Sequence, residues 1–498
     1  MGKPNLQLTL QTTSLILGFM VWVILSSLMT FIKADIPLTP GDIAIITAIP
    51  VVLGSIVRIP LGHWTNKYGA RITFLISFIL LLLPVFLISL ADSKEDLMIG
   101  GLLLGIGGAV FSIGVTSLPK YYPKEKHGLI NGIYGMGNMG SAISTFAAPV
   151  IASSIGWRDT VRMYLILLAL FALLHFIFGD RREKKSSASL MEQIKGVYKK
   201  QKLWFLCICY FLTFGVFVAF TVYLPNFLVT NFDLTKVSAG MRTAGFIALA
   251  TLMRPIGGWL GDKFNPFKIL IFVFGGLTLS GVILAFNPDL MIYTIGCLLI
   301  AFSAGIGNGA VFKLVPMYFA KQGGIVNGLV SAIGGLGGFF PPLLLAFLLD
   351  KTGSYAIGFM ALSEIALACL ILTMWMFYQD KLQLSASVID STIEGIMVTD
   401  LNGIIQEINP SFSKVTGYSK EEVIGKKPNI LSSGKQSRQF YEKMWIQLKK
   451  KGQWNGSIWN KRRNGEVYEE WLTISAICNE AGDPISYVGM FSDLSTKN

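Results

Sequence analysis

The sequence predicts an all-α membrane domain of twelve helices, built as two repeats of six, followed by a smaller soluble α+β domain. Three observations predict this fold class. Of the 498 residues, 52% are hydrophobic and only 14% are charged, whereas about a quarter of the residues in a soluble domain are charged. Apolar runs of about 20 residues follow one another up to residue 380, and each is long enough to cross a bilayer as a helix. Beyond residue 380 the composition becomes that of an ordinary soluble domain.

The predicted membrane domain covers residues 1–380, and the soluble domain covers 383–498. Within the membrane domain the halves cover about 1–180 and 203–380, and a basic loop at 181–202 joins them. The twelve predicted spans lie at 11–32, 43–64, 72–90, 97–118, 127–152, 160–178, 203–229, 237–260, 267–286, 290–315, 323–349 and 355–378.

The net charge of +13 is concentrated in the loops of the membrane domain. Basic residues fill the loops at 66–71, 119–127, 180–202, 262–268 and 379–381, and the intervening loops are mixed or acidic. Cytoplasmic loops are the basic ones, so we expect a multi-pass protein of the cytoplasmic (inner) membrane with both termini in the cytoplasm. This placement of charge in loops disfavours a nucleic-acid partner and favours the lipid bilayer.

Two sequence features repeat between the halves. The segment GIGGAVF (105–111) recurs as GIGNGAVF (305–312), and Asn131-Gly132 recurs as Asn327-Gly328. Transporters built from parallel repeats hold their substrate between the halves, near mid-membrane. We find no nucleophile–base constellation, metal-ligand cluster or phosphate-binding loop, so we expect no enzyme activity and no metal.

Two arginines interrupt apolar runs at matching places, Arg58 in the second span and Arg254 in the eighth. A charge at membrane depth costs roughly 3 kcal/mol or more, and no acid lies within one helical turn of either residue. Two guanidiniums facing one cavity can bind the paired oxygens of a small planar oxyanion. The alternative is that each arginine forms an internal salt bridge with a distant acid, but intramembrane acids are scarce.

Glycine-rich strips follow the arginine spans in both halves, GLINGIYGMGNMG (128–140) and GLVSAIGGLGGFFPP (328–342). Small residues allow membrane helices to approach closely. A strip in each half also suits helices that rock against each other, although tight packing alone is an alternative explanation. The candidate gating glycines are Gly135, Gly137, Gly140, Gly335, Gly337 and Gly338.

These stretches resemble the nitrate/nitrite porters of the major facilitator superfamily over residues 1–380. LGHWTNKYGAR (61–71) and GGWLGDKF (257–264) resemble the cytoplasmic loop motif of that superfamily, with Asn66 where an aspartate is usual. The two glycine strips resemble the paired nitrate signatures of the family. The resemblance therefore implies an anion substrate, nitrate or nitrite.

The resemblance also implies roles for individual residues. The two arginines bind the anion, two asparagines hydrogen-bond it, and an aromatic pair in the seventh span lines the pocket. Two phenylalanines that end the repeated glycine segments sandwich the flat anion, although aromatic residues in membrane helices more often serve packing. The implied site consists of Arg58, Arg254, Asn131, Asn138, Tyr210, Phe214, Phe111 and Phe312.

Three titratable residues within the spans bear on energy coupling, namely Lys313, Glu364 and His175. A negative-inside potential opposes anion uptake by about 2.3 kcal/mol per charge per 100 mV. Proton symport removes that opposition and nitrate/nitrite exchange avoids it. We favour symport, with Lys313 and Glu364 as coupling candidates. Lys313 alternatively extends to the cytoplasmic surface, and His175 is better explained by helix packing.

The soluble segment alternates as β-strands do. Asn402-Gly403 predicts a hairpin between GIMVTD and IIQEIN, and Asn464-Gly465 and Gly482-Asp483 separate three later strands. The result is a five-stranded antiparallel sheet with short inserted helices. TDLNGIIQEINPSF, TGYSKEEVIGK, WNGSIWNKRRNG and FSDLS resemble a PAS sensor domain.

The ligand of such a PAS domain is open from sequence. The segment contains no histidine, which disfavours histidine-ligated haem, and Pro428 replaces the reactive cysteine of flavin photoreceptors. ILSSGKQSRQFYEKMW (430–445) and Trp454 resemble flavin-binding redox sensors, so FAD is a candidate cofactor, and a domain without a ligand is the alternative. Transport itself needs no cofactor. PAS resemblance also suggests a homodimer.

The function that these patterns favour is proton-coupled nitrate uptake, with nitrite as a further substrate, across the cytoplasmic membrane, regulated by the PAS domain. The alternatives are a nitrate/nitrite antiporter, a nitrate receptor that signals through the PAS domain, and a porter for another small anion such as a carboxylate. The intact glycine strips favour movement and hence transport.

Overall fold

The structure is a computed structural model that describes residues 3–183, 189–286, 288–340, 355–479 and 481–495, together with residues 348 and 352. The chain divides into two units, Met1–Trp375 and Met376–Asn498. The first is helical and the second contains the only sheet of the described residues.

Sixteen α-helices of seven or more residues follow one another up to residue 391 among the described residues. They are α1 (Pro4–Trp22), α2 (Ile24–Asp35), α3 (Pro40–Tyr68), α4 (Ala70–Ser89), α5 (Lys94–Ala109), α6 (Phe111–Ser117), α7 (His127–Gly135), α8 (Met139–Ile155), α9 (Trp157–Phe178), α10 (Leu190–Val197), α11 (Gln201–Phe232), α12 (Lys236–Lys263), α13 (Pro266–Ala285), α14 (Leu290–Tyr318), α15 (Gly323–Leu336) and α16 (Ala356–Ser391).

Each of the twelve predicted spans corresponds to helix in the described residues, and nine helical stretches there are long and apolar enough to cross a membrane. The other three predicted spans are not among these nine stretches, and the structure shows a reason for each. The fifth is interrupted by a 3-10 turn at Met136–Asn138, and the eighth carries Arg254 and charged ends. The eleventh is helical over Gly323–Leu336, and its predicted end, 341–347 and 349, lies outside the described residues.

The helix that contains the last predicted span, 355–378, continues beyond it, because α16 ends at Ser391. No glycine or proline occurs between residues 379 and 391 to stop the helix. The division between the two units, at Trp375 and Met376, therefore lies inside one helix.

Two helix starts show how local sequence fixes the spans. Thr39 accepts a hydrogen bond from the Asp42 amide at 3.1 Å, and the Asp42 carboxylate accepts one from the Thr39 amide at 3.0 Å. Ser93 and Asp96 form the same reciprocal pair at the start of α5. Each pair satisfies amides that an α-helix leaves without partners, so α3 and α5 begin at defined residues.

The two halves meet through glycines at the end of the bundle that carries the basic loops. A Cβ on Gly62 of α3 would lie 2.4 Å from the carbonyl oxygen of Gly324, at the start of α15. A Cβ on Gly258 of α12 would lie 2.0 Å from the carbonyl oxygen of Gly128 on α7. Each half therefore presses one arginine-bearing helix against a glycine strip of the other half.

The second unit has the predicted five-stranded antiparallel sheet, in the order β2-β1-β5-β4-β3. Three short helices, α17 to α19, lie between β2 and β3 in the chain, and Phe412, Leu448 and Phe491 belong to the core that they form with the sheet. The bounds are β1 (Gly395–Thr399), β2 (Ile405–Ile408), α17 (Pro410–Thr416), α18 (Lys420–Val423), α19 (Arg438–Lys451), β3 (Gln453–Lys461), β4 (Val467–Cys478) and β5 (Pro484–Asp493).

Candidate functional site

Arg58 and Arg254 lie on α3 and α12, as their positions in the second and eighth spans predicted, and their side chains are 1% and 3% exposed. Arg58 donates from Nε and Nη2 to the carbonyl oxygen of Gly108, at 3.3 and 3.1 Å, and from Nη1 to that of Ser331, at 2.6 Å. A guanidinium has five N–H donors, so two donors of Arg58 have no partner among the residues that the structure describes.

Arg254 makes the corresponding contacts from the other half. Its Nη1 donates to the carbonyl oxygen of Gly135 at 3.1 Å, and its Nη2 donates to the hydroxyl of Tyr210 at 3.4 Å. Arg58 and Arg254 thus each reach across to a backbone carbonyl of the opposite glycine strip, Ser331 on α15 and Gly135 on α7. These bonds tie the halves together at the level of the arginines.

The two guanidiniums share the same aromatic rings. The Cζ atoms of Arg58 and Arg254 lie 5.7 and 5.9 Å from the centroid of Phe111, and 5.3 and 5.4 Å from that of Phe214. The two Cζ atoms therefore lie no farther apart than the sum of their distances to the Phe214 centroid. Cations over ring faces are stabilised by the ring quadrupole, but two buried like charges also repel each other, and an anion between them would remove that repulsion.

Phe111 and Phe312 do not form the open sandwich that the resemblance implied. Their rings are in edge-to-face contact with centroids 5.3 Å apart, and Tyr210 contacts Phe312 in the same way at 4.8 Å. Rings at these separations leave no room for a flat anion between them. The four aromatic residues do come together around the arginines, but in this conformation they close the pocket.

The two asparagines of the first strip have different surroundings. Asn131 donates from Nδ2 to the carbonyl oxygen of Phe312 at 3.3 Å, and its Oδ1 accepts no hydrogen bond from the described residues. Asn138 is fully buried in the 3-10 turn Met136–Asn138. Asn131 thus connects α7 to α14 beside the pocket, and an anion contact from either asparagine remains a prediction.

All six candidate gating glycines lie against another element. A Cβ on Gly140 would lie 2.0 Å from the carbonyl oxygen of Ile16, and one on Gly337 would lie 2.2 Å from that of Phe211. Gly137 and Gly338 pack on the side chains of Leu15 and Val218. The remaining two face the arginines: Gly135 faces Arg254, and Gly335 faces Arg58.

Two aromatic residues at this site were missed by sequence reasoning. Tyr134 packs on Phe111 with centroids 5.8 Å apart and donates to the carbonyl oxygen of Val110 at 2.9 Å. Phe217 lies 5.9 Å from the Cζ of Arg254. The signals were present, since Tyr134 lies within the glycine strip and Phe217 follows Phe214 by three residues, on the same helix face.

Comparison with known proteins identifies the family. The sequence profile of the Major Facilitator Superfamily matches residues 12–342. The nitrite extrusion protein of Bacillus subtilis (strain 168) is 64% identical over 382 residues, which are 77% of this chain and 97% of that protein. The probable nitrate transporter NarT of Staphylococcus epidermidis is 53% identical over 371 residues, 74% of this chain and 96% of that protein.

The chain belongs to the nitrate/nitrite porter family of the major facilitator superfamily. Solved structures support the fold of this porter: the human organic anion transporter MFSD10 matches with a TM-score of 0.64 at 15% identity, over 75% of this chain and all of that one. The Escherichia coli fucose:proton symporter matches with a TM-score of 0.61 at 15% identity, over 74% of this chain and 98% of that one. The porter is a multi-pass membrane protein, and the names of its relatives agree with the expectation that it is not an enzyme.

Lys313 of this porter is paired with an acid rather than extended to a free surface. Its Nζ donates to Asp262 Oδ1 and to the carbonyl oxygen of Lys124, both at 2.7 Å. The Asp262 carboxylate also accepts from the amides of Gly128 and Leu129, at 2.9 and 2.7 Å, at the start of α7. An anionic carboxylate at a helix N-terminus is favourable, so Asp262 and Lys313 of one half hold α7 of the other.

The other two titratable candidates of the porter lie apart from the arginines. Glu364 is exposed on the outer face of α16. His175 contacts Ser14 Oγ through Nε2 at 2.8 Å and stacks on Phe74 with centroids 4.5 Å apart. The contacts of His175 are those of a packing residue, as the sequence favoured, and a coupling role for Glu364 stays a prediction.

The C-terminal unit is a PAS domain, matched by the PAS profile over residues 384–494. It contains a cavity of about 510 Å³ between the inner face of the sheet and α19. The walls are mainly apolar and aromatic, with Met444, Trp445 and Leu472 among them, and Glu470 and Asn460 supply polar groups. Small-molecule sites have roughly 300–1,000 Å³, so the cavity has the size of a ligand site.

Glu470 is the most unusual polar group in this cavity. It is 1% exposed, and its Oε1 accepts a hydrogen bond from Asn460 Nδ2 at 2.8 Å. Burial raises the pKa of Glu470 from 4.5 to about 7. The strict alternation of Tyr468, Glu470, Leu472 and Ile474 in β4 placed Glu470 on the inner face, and sequence reasoning overlooked that signal.

The raised pKa of Glu470 predicts that the PAS domain loses stability as pH rises. Between pH 4.5 and about 7 the folded state keeps the proton that the unfolded state has released, so the free energy of unfolding falls over that range and then levels off. From pH 5 to 8 we expect a loss of roughly 2–3 kcal/mol from this group. Urea unfolding of the isolated PAS domain, which has its own hydrophobic core, measures this loss of stability.

Glu470→Gln is the variant that tests this pH dependence, because it keeps the shape and cannot ionise. The decrease in the free energy of unfolding between pH 5 and 8 should be roughly 2–3 kcal/mol smaller in this variant than in the wild type. Glu442→Gln, at an exposed position on α19, should leave the loss as it is. An unchanged loss in Glu470→Gln would show that the buried carboxyl does not titrate in this range.

Proposed function

We propose that this porter carries nitrate and nitrite across the cytoplasmic membrane, with the anion held between Arg58 and Arg254. The observation that supports this most is the convergence of two buried guanidiniums, one from each half, on the same two rings, Phe111 and Phe214. The names of two relatives include nitrite and nitrate, which supports these anions as the substrates. The basic loops support a cytoplasmic position for both termini.

The contacts of the arginines suggest how binding is linked to movement. Each guanidinium donates to a carbonyl of the opposite half, Ser331 for Arg58 and Gly135 for Arg254. An anion that enters competes with these carbonyls for the same donors. Charge-assisted hydrogen bonds to an oxyanion are stronger than those to a neutral carbonyl. Binding therefore loosens the bonds between the halves and separates the Phe111 and Phe312 rings, so that the halves can rock along the glycine strips.

We propose proton-coupled uptake as the transport mode. A negative-inside potential opposes uptake of one negative charge by about 2.3 kcal/mol per 100 mV, and a co-transported proton cancels that term. Asp262 and Lys313 form a buried ion pair at the contact between the halves. Loss of this pair would also weaken the bonds of Asp262 to the α7 amides, which connects the pair to the separation of the halves.

Uptake of labelled nitrate into proteoliposomes that contain the purified chain tests the proposal. An imposed inward proton gradient should drive accumulation without internal substrate. Uptake that requires preloaded nitrite would establish exchange instead. Nitrate binding without uptake under either condition would favour a receptor, and transport of formate or another small carboxylate in preference to nitrate would reassign the substrate.

Replacing Lys313 by glutamine separates coupling from binding. We expect proton-driven nitrate uptake to fall at least tenfold. Removing Lys313 leaves the buried Asp262 carboxylate without its cation, and this destabilises the contact between the halves by a few kcal/mol. Nitrate binding should change little, since Lys313 touches neither guanidinium in the described contacts. Lys263→Gln is the matched control. Lys263 follows Asp262 at the end of α12, and its ammonium group lies over the Trp259 ring. Normal proton-driven uptake by Lys313→Gln would remove Lys313 from the coupling mechanism.

We further propose that the PAS domain binds a small molecule in its cavity and thereby adjusts transport, with a homodimer through this domain as a further arrangement. A flat heterocycle with an N–H donor and a carbonyl along one edge would meet Glu470 and Asn460, and a flavin has that edge. The visible absorption spectrum of the purified chain, with Glu470→Gln as the comparison, tests this. A spectrum without flavin would leave the cavity to an uncoloured ligand.

A further inference from the structure

Two hydroxyl groups occupy matching positions beside the arginines. Ser55 precedes Arg58 by three residues on α3, and Thr251 precedes Arg254 by three residues on α12. Residues three apart lie on the same helix face, about 4.5 Å along the axis. Both side chains are 1% exposed, and neither hydroxyl oxygen has a hydrogen-bond partner among the described residues.

This lack of partners distinguishes the two hydroxyls from others in the same helices. A buried serine or threonine in a helix commonly donates to the carbonyl oxygen four residues earlier. Thr65 of α3 does so to Leu61 at 2.7 Å, and Thr243 of α12 does so to Ala239 at 2.9 Å. A buried hydroxyl without any partner costs about 1–3 kcal/mol, so its retention at both matching positions calls for a ligand.

The surroundings of Ser55 bring its hydroxyl next to the Arg58 guanidinium. A Cβ on Gly335 would lie 2.3 Å from Ser55 Oγ and 3.2 Å from Arg58 Nη1. The hydroxyl and the guanidinium therefore both lie against Gly335, next to each other. Two donors so close together can bond to one small anion, each through a hydrogen bond of about 2.8 Å.

A third unpartnered group lies in α14. Asn308 is 3% exposed, and neither its Nδ2 nor its Oδ1 has a partner among the described residues. It precedes Phe312 by one turn on the same face, and Phe312 contacts Phe111 and Tyr210 in the aromatic cluster. Asn308 is thus offset from the cluster toward the same end of the bundle as the two hydroxyls are from the arginines.

We propose that Ser55, Thr251 and Asn308 form a neutral wall of the anion site that donates hydrogen bonds to the third oxygen of nitrate. This inference rests on the proposed function, in which the arginines hold a nitrate or nitrite ion. Two guanidiniums can engage two oxygens of a planar anion, and nitrite has no more than two. Nitrate has a third oxygen, which points away from the donors that hold the other two, and the neutral groups beside the arginines meet it. The wall makes the site select nitrate over nitrite.

Titration of the purified full-length chain with nitrate and with nitrite tests the proposal. Ser55→Ala, Thr251→Val and Asn308→Ala should each weaken nitrate binding about tenfold, the usual effect of one hydrogen bond to a charged group. Nitrite binding should weaken less than threefold, and its persistence shows that each variant is folded. Thr243→Val, which removes a hydroxyl already bonded within α12, should bind both anions as the wild type does.

The Arg58→Lys variant separates failure of this inference from failure of the proposed function. If Arg58→Lys loses nitrate binding while Ser55→Ala and Thr251→Val retain it, the hydroxyls are bonded to water and the neutral wall is wrong. Equal losses of nitrate and nitrite in the hydroxyl variants would also overturn the assignment to the third oxygen. If Arg58→Lys binds both anions normally, the proposed anion site fails, and the neutral wall fails with it.

Discussion

Nitrate binding is expected to weaken on the order of a hundredfold when either Arg58 or Arg254 is replaced by lysine. A lysine keeps the positive charge, but it is a point charge that cannot present two parallel donors to the oxygens of one anion. Calorimetric titration of the purified chain with nitrate measures the loss.

Arg71→Lys is the matched control for the arginine variants. Arg71 also donates to a backbone carbonyl, that of Phe176 at 2.8 Å, and its Cζ lies 5.3 Å from the Phe176 ring. It differs in being at the start of α4, outside the arginine pocket. Its replacement should change nitrate binding less than twofold. Equal effects at all three arginines would mean that the losses reflect general damage rather than anion binding.

Nitrate transport is expected to fall at least tenfold in Gly258→Ala, with binding less affected. The new Cβ would lie 2.0 Å from the carbonyl oxygen of Gly128, and real Cβ atoms do not approach backbone atoms more closely than 3.0 Å. The closed contact between α7 and α12 must therefore open, which disfavours the conformation described above. A porter that cannot occupy one of its alternating conformations completes no transport cycle. Nitrate uptake into proteoliposomes measures the effect.

Gly275→Ala is the control for this substitution, because a Cβ at that position meets nothing within 4 Å. Alanine also favours helix over glycine by about 1 kcal/mol, so α13 should be unharmed or slightly stabilised. Gly62→Ala, at the matching contact with Gly324, should behave as Gly258→Ala does. Wild-type uptake by Gly258→Ala would show that the close glycine contact is not used in transport.

The sequence allowed the arginine site to be predicted because its main parts recur between the halves. Arg58 and Arg254 stand at matching positions in the second and eighth spans, and the phenylalanines end a repeated glycine segment. The structure brings both pairs together, with Tyr210 and Phe214 from α11. The same comparison between halves relates Ser55 to Thr251, a match that went unnoticed because a single hydroxyl in a membrane helix is usually bonded to its own backbone.

Other features could not be read from the sequence because they depend on packing. The edge-to-face contact of Phe111 and Phe312 is set by how closely the halves approach, which no local pattern specifies. Lys313 pairs with Asp262, which lies 51 positions earlier and on another helix, so only the fold reveals the pair. The continuation of α16 to Ser391 depends on the absence of a stop signal, which a hydropathy count does not register.

The most direct test of the central claim is a distance measurement between bound nitrate and the arginines. Solid-state NMR of the full chain in bilayers, with ¹⁵N-nitrate and ¹³Cζ-labelled arginine, reports which guanidiniums lie beside the anion. The account predicts dipolar contacts to two Cζ atoms, each within about 5 Å as charge-assisted hydrogen bonds require, and the loss of one contact in Arg58→Lys and of the other in Arg254→Lys. A bound nitrate that contacts only one arginine, or none, would contradict it.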